Sequence, residues 1–208
     1  MYKEKNKTYF LIAIIYWILY MIGLLIMGIL YKKGIKHYNI IYLVIAIIGV
    51  SIAIIKDKNL INLGFTKEKL KINFVISFII IITVFIISVV VGKYSILKLI
   101  KYSLYYLFYI SLIEEILFRG FIQNYLFGLK CNKYLVFLIG ALMFSIMHLP
   151  FQMYKNNNVS LTYIIEALPQ LVFCFTFHLI MCFITCKRKD ITIPTALHYA
   201  IDYLQSAL

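Results

Sequence analysis

The chain has 208 residues, of which 63% are hydrophobic and only 14% charged, with a formal net charge of +13 at pH 7. Soluble domains carry about 25% charged residues, so this composition excludes a soluble globular protein and leaves a polytopic membrane protein built from spans of about 20 residues each. The charge does not point to nucleic acid, because the lysines fall in short clusters between apolar runs, as topology determinants and lipid-headgroup anchors do.

The first apolar run extends from about Tyr9 to Leu30 and ends at a cluster containing Lys32, Lys33 and Lys36. It exceeds the roughly 7 to 15 apolar residues of a signal-peptide core and no small-residue cleavage site follows, so it is expected to stay in the protein. A second run covers about Tyr38 to Ile55. The next stretch, KDKNLINLGFTKEKLKINF, is too polar to span. Its apolar residues among lysines read either as an interfacial helix capped by Thr66 or as an ordinary loop.

A third span is predicted from about Phe74 to Val91 and a fourth from about Tyr102 to Phe127. The fifth runs from about Tyr134 to Leu149 and is closed by Pro150. A sixth runs from about Leu161 to Thr185, with Pro169 expected to kink it, and a shorter seventh from about Ile193 to Leu208. The fold class is therefore all-α: a transmembrane helical bundle of about seven spans, forming a single integral membrane domain over residues 1–208. Cys131, Cys174, Cys182 and Cys186 lack C-x-x-C spacing and read as small buried apolar residues.

Orientation follows from the lysines and arginines outside the spans. With the N-terminus inside, the cytoplasmic set is Lys3, Lys5, Lys7, Lys56, Lys58, Lys67, Lys69, Lys71, Lys130, Lys133, Lys187, Arg188 and Lys189, thirteen in all. The opposite set is Lys32, Lys33, Lys36, Lys93, Lys98, Lys101 and Lys155, seven in all. This bias places the N-terminus in the cytoplasm of a cell whose plasma membrane holds the protein.

Chemistry concentrates in the fourth span, where SLIEEILFRGFIQ, Ser111 to Gln123, carries two glutamates and an arginine inside an apolar run. Each such group costs roughly 2.5–3.5 kcal/mol at the bilayer centre, which makes an intramembrane carboxylate a functional-site hypothesis. Glu115 and Arg119 stand four apart, the favourable order for an ion pair on a helix. Glu114 points about 100° away and is the carboxylate left to face a cavity. The competing structural reading is that all three charges only lock helices together.

Three further groups lie on other spans: His148 on the fifth, and His198 with Asp202 four apart on the seventh. At 1.5 Å per residue, Glu114 lies about 20 Å and His148 about 21 Å from the cytoplasmic helix ends, whereas His198 lies about 8 Å deep. Glu114 and His148 can therefore meet, and His198 joins them only if the last helix starts earlier or tilts. A free carboxylate beside a histidine suits activation of water, and a second histidine with a polar neighbour suits oxyanion stabilisation. The set reads as a hydrolase. The same four residues, Glu114, His148, His198 and Asp202, are also all zinc ligands, so a Zn²⁺ cofactor is an open alternative. The H-E-x-x-H zinc-protease helix is absent. His178, on the sixth span, has no evident partner and reads as packing or pore lining.

These residues resemble the CPBP intramembrane proteases, also called the CAAX-protease and bacteriocin-processing or Abi family. EEILFRGFIQ is similar to the family's E-E-x-x-x-R motif with its F-R-G continuation. Gly140 to His148, GALMFSIMH, resembles its F-x-x-x-H motif through Phe144 and His148. ITIPTALHYAID, Ile191 to Asp202, resembles its last motif, H-x-x-x-N or H-x-x-x-D. The match covers about Ser111 to Asp202.

The resemblance implies a glutamate-dependent intramembrane endopeptidase in which Glu114 with His148 activates water. It further implies that His198 and Asp202 bind the oxyanion or complete a metal site, and that Glu115 and Arg119 support the fourth helix. Asp202 stands where many relatives carry asparagine, and an ionised aspartate cannot donate to an oxyanion. Either burial keeps it protonated, or it orients His198, or a metal takes part. The implied partners are a membrane-associated or lipidated peptide or protein substrate and the bilayer itself. The alternatives are a non-catalytic bacteriocin-immunity or scaffolding protein, and a transporter using Glu114 and the histidines as a proton relay, though no inverted repeat supports the latter. Oligomeric state is not legible.

Overall fold

Long apolar runs cannot leave backbone polar groups unpaired in lipid, and here they satisfy them within helices. The computed structural model describes residues 2–3 and 5–208. The helices are α1 (Lys7–Lys32), α2 (Ile40–Asp57), α3 (Leu70–Val91), α4 (Ile96–Leu129), α5 (Lys133–Ile146), α6 (Leu149–Lys155), α7 (Leu161–Glu166), α8 (Leu168–Arg188) and α9 (Thr192–Ala207). Among the described residues six stretches are long and apolar enough to cross a membrane, with α5 and α6 counted as one. α9 has 16 residues, about 24 Å, and still runs the length of the neighbouring α3. At its end Leu208 O accepts from Lys93 Nζ at 2.7 Å, just beyond the C-terminus of α3.

The bundle is apolar outside and encloses a polar cluster within an apolar core. Ile55, Val90 and Leu161 are 75–79% exposed, as lipid-facing side chains are. Arg119, Glu115, Gln123, Asn124 and His178 are fully buried. α9 is stitched to its neighbours by tyrosine hydroxyls: Tyr203 to Ser88 at 2.6 Å and Tyr199 to Ser103 at 2.9 Å. Tyr106 OH accepts from Ser206 at 2.6 Å.

Four boundaries differ from the sequence expectation. α4 begins at Ile96, six residues before the predicted Tyr102, and is built partly of π-helix, over Tyr105–Ser111 and Glu115–Ile122 on either side of Glu114. Such widened turns recur at functional sites. Pro150 does not close the fifth span: it occupies the first turn of α6, where a missing N–H costs nothing. Pro169 likewise starts α8 instead of kinking it, and the predicted sixth span divides at Ala167. Thr66 caps no helix; its hydroxyl donates to Lys189 O at 2.8 Å.

The polar stretch after α2 forms a single 3₁₀ turn, Ile61–Leu63, in place of an interfacial helix. That turn is tucked into the bundle. Leu63 is buried, and its carbonyl carbon lies 2.6 Å from where a Cβ on Gly120 would stand, so only glycine lets α4 pass. Gly64, with φ of +94°, accepts at its carbonyl from Ile191 N at 3.1 Å. Asp190 and Ile191 are consequently fully buried, and α9 starts recessed within the molecule.

Candidate active site

α4 supplies Glu114 and Glu115, α5 supplies Phe144, and α9 supplies His198 and Asp202, while His148 sits at the junction of α5 and α6. The recessed start of α9 brings His198 inward without an earlier start. Its Nε2 lies 3.8 Å from Glu114 Oε2 and 3.4 Å from Asp202 Oδ2. Its Nδ1 donates to Glu115 Oε1 at 2.9 Å. Both ring nitrogens therefore face carboxylates.

Glu115 does turn toward Arg119, whose Nη1 is 3.0 Å from Glu115 Oε1, but it serves His198 through the same oxygen. Sequence spacing gave the first contact and could not give the second, which crosses from another helix. Arg119 also lies over the Phe144 ring at 4.0 Å, a cation–π contact in a fully buried setting. Phe144 is the hub of the site, with the rings of His148, His178 and His198 at 5.3, 5.3 and 6.2 Å.

His148 Nδ1 donates to Phe144 O at 3.0 Å, which fixes the proton on Nδ1 and leaves Nε2 as the acceptor. Cys174 Sγ stands 3.7 Å from that Nε2. Sequence reasoning took Cys174 for a packing residue, and nothing in its spacing marks it otherwise. His178, which the sequence left unpartnered, donates from Nε2 to Gln123 Oε1 at 2.9 Å, and Gln123 Nε2 donates to Val136 O at 3.2 Å. Gly140 makes this bridge possible, since a Cβ there would collide with the Gln123 amide.

Glu114 and His148 line two cavities, one of about 290 Å³ and one of about 320 Å³. The first includes Tyr20 and Tyr42, so α1 and α2 also wall the site. It reaches the end of the bundle formed by Tyr31, Tyr38, Asn39 and Lys155, opposite the N-terminus. Among the described residues no three His, Cys, Asp or Glu side chains converge as a metal-holding group. His198 commits Nδ1 to Glu115, which leaves its Nε2, facing Glu114 and Asp202, for water, substrate or an ion.

A family model described as type II CAAX prenyl endopeptidase Rce1-like matches residues 96–204, just over half of the chain. The match runs from the start of α4 into the last turns of α9 and covers Glu114, Glu115, Arg119, Phe144, His148, His198 and Asp202. No curated protein and no solved structure matches the chain significantly.

Proposed function

We propose, because the chain belongs to the Rce1-like family of type II CAAX prenyl endopeptidases, that this integral membrane peptidase cleaves its substrate with water activated by Glu114. The observation that carries the reading is the division of labour between adjacent carboxylates. Glu115 is held by Arg119 and His198, while Glu114 lines both cavities.

Water bound between Glu114 and His148 donates one hydrogen to His148 Nε2 and loses the other to Glu114 as it attacks the scissile carbonyl. Such positioned proton transfer contributes about 10² to 10⁴ in rate. His198, as the imidazolium, provides its Nε2–H for the resulting oxyanion, and at rest that nitrogen faces Asp202 Oδ2 at 3.4 Å and Glu114 Oε2 at 3.8 Å. This gives Asp202 an acceptor's role, which an aspartate can fill and a donor's role would not allow. Glu114 then passes its proton to the departing amine, which restores the carboxylate.

The substrate is a membrane-associated or lipidated peptide. Thirteen basic residues at the N-terminal end against seven at the other orient that end to the cytoplasm of the plasma membrane. The cavities then open on the opposite face.

The test is purified protein in lipid nanodiscs with a mixed peptide library in H₂¹⁸O, products read by mass spectrometry. Wild type should release new C-termini carrying one ¹⁸O, with the rate unchanged by a chelator, and His148→Ala and His198→Ala should lose most of it. Full cleavage by both variants would overturn the assignment.

A further inference from the structure

The two cavities that meet at Glu114 differ in chemistry. Tyr20, Tyr42, Tyr105 and Tyr109 wall one, whereas Gln152, Gln170, Gln205 and Asp202 stand in the other. Ile110, Glu114, His148 and Gln152 belong to both, so the proposed water site lies at their junction. From this geometry, and resting on the peptidase reading above, we infer that the cleft reads its substrate in two parts. The glutamine-lined arm holds an extended stretch of main chain, and the tyrosine-lined arm takes one bulky aromatic side chain beside the scissile bond.

A peptide unit brings one donor and one acceptor out of water, and leaving them unmet is costly. A glutamine amide offers both a donor and an acceptor. Here three glutamines come from three helices, α6, α8 and α9, around one cavity. At about 3.3 Å per residue, an extended stretch of three residues needs only about 10 Å of such a wall.

Phe144, Phe173 and Phe177 share the other arm with the glutamines, while the tyrosine arm is the richer in tyrosine, with six beside Asn39, Gln152 and Lys155. It presents ring faces, with Tyr42 and Tyr109 at 5.3 Å and Tyr105 and Tyr109 stacked at 5.0 Å. The Tyr109 hydroxyl is already spent on Asn39 O at 2.9 Å. The ring faces suit offset and edge contacts with an aromatic side chain, and the Tyr42 hydroxyl, unpartnered among the described residues, is left to meet a polar tip or a main-chain group. The two arms have similar volumes, about 290 and 320 Å³, so lining and not size separates their roles.

The experiment uses the full-length Glu114→Gln protein in nanodiscs and synthetic decapeptides with one central phenylalanine, each carrying benzoylphenylalanine at one position in turn. One position should crosslink to α1, α2 or the start of α4, and its neighbours on one side to α8 and α9. Crosslinks spread evenly over both arms, or none in either, would overturn the inference. In parallel, quenched fluorescent versions of the peptides report hydrolysis by otherwise wild-type protein. Gln170→Leu with Gln205→Leu should raise KM about tenfold with kcat within about threefold, as loss of one or two hydrogen bonds implies. Tyr109→Ala should abolish the preference for phenylalanine over alanine. A fall in kcat at unchanged KM in the glutamine pair would contradict a main-chain clamp. If Glu114→Gln still hydrolysed peptide, the peptidase mechanism would fall while the crosslink map still decided the two-arm reading.

Discussion

Glu115 is where stability and catalysis can be separated by substitution. It contacts Arg119 at 3.0 Å and accepts from His198 at 2.9 Å through one oxygen, and both it and Arg119 are fully buried. Glu115→Leu leaves a buried guanidinium without a counter-charge, which should cost about 3–5 kcal/mol of stability. Adding Arg119→Met removes the stranded charge, and an apolar pair of similar volume in place of a buried ion pair is often neutral or stabilising. The double variant should therefore recover the lost stability. It should not recover activity, because His198 Nδ1 still lacks the acceptor that orients the ring. The assay is chemical unfolding in micelles alongside peptide hydrolysis per folded molecule, for wild type, both single variants and the double. Activity returning together with stability would refute the claim that Glu115 positions His198. A Glu115→Leu protein as stable as wild type would refute the ion pair's burial.

Other outcomes follow from single contacts. Gly120→Ala must displace the Leu63 backbone, and overpacking of this kind costs about 1–3 kcal/mol. Because the same turn holds Ile191, the variant should also lose activity, read as a fall in both melting temperature and hydrolysis. Tyr203→Phe removes the bond to Ser88 and should destabilise by about 1 kcal/mol in an unfolding titration without altering cleavage. Cys174→Phe should block hydrolysis by adding bulk 3.7 Å from His148 Nε2, and Cys174→Ala should be active. An inactive Cys174→Ala protein of normal stability would instead give the thiol a chemical role. With the N-terminus cytoplasmic, a cysteine placed at Lys155 should react with an impermeant maleimide added outside intact cells, and one placed at Lys58 should not.

The spans were legible because lipid demands unbroken apolar runs, and six are present among the described residues, the first three within a few residues of the predicted bounds. The pairing of Glu115 with Arg119 was legible because it is local to one helix turn. Contacts between helices were not. The second use of Glu115 by His198, the bond from His178 to Gln123, and the approach of Cys174 to His148 all join residues more than 25 positions apart. Neither was the depth of α9, which a rise of 1.5 Å per residue from the membrane surface understated. The polar stretch after α2 folds inward on Gly120 and Gly64, so α9 starts below the surface from which depth was measured. The tyrosine wall was hidden for another reason: Tyr20 and Tyr42 sit in runs whose composition reads only as lipid-compatible.

The central claim is that Glu114, and not its neighbour, activates the water. Its most direct test is the single-turnover rate of peptide hydrolysis by Glu114→Gln against wild type, on protein of equal folded amount and equal thermal stability. The account predicts a loss of about 10² to 10⁴ with stability retained, the range expected for a lost general base. A rate within about threefold of wild type would contradict it.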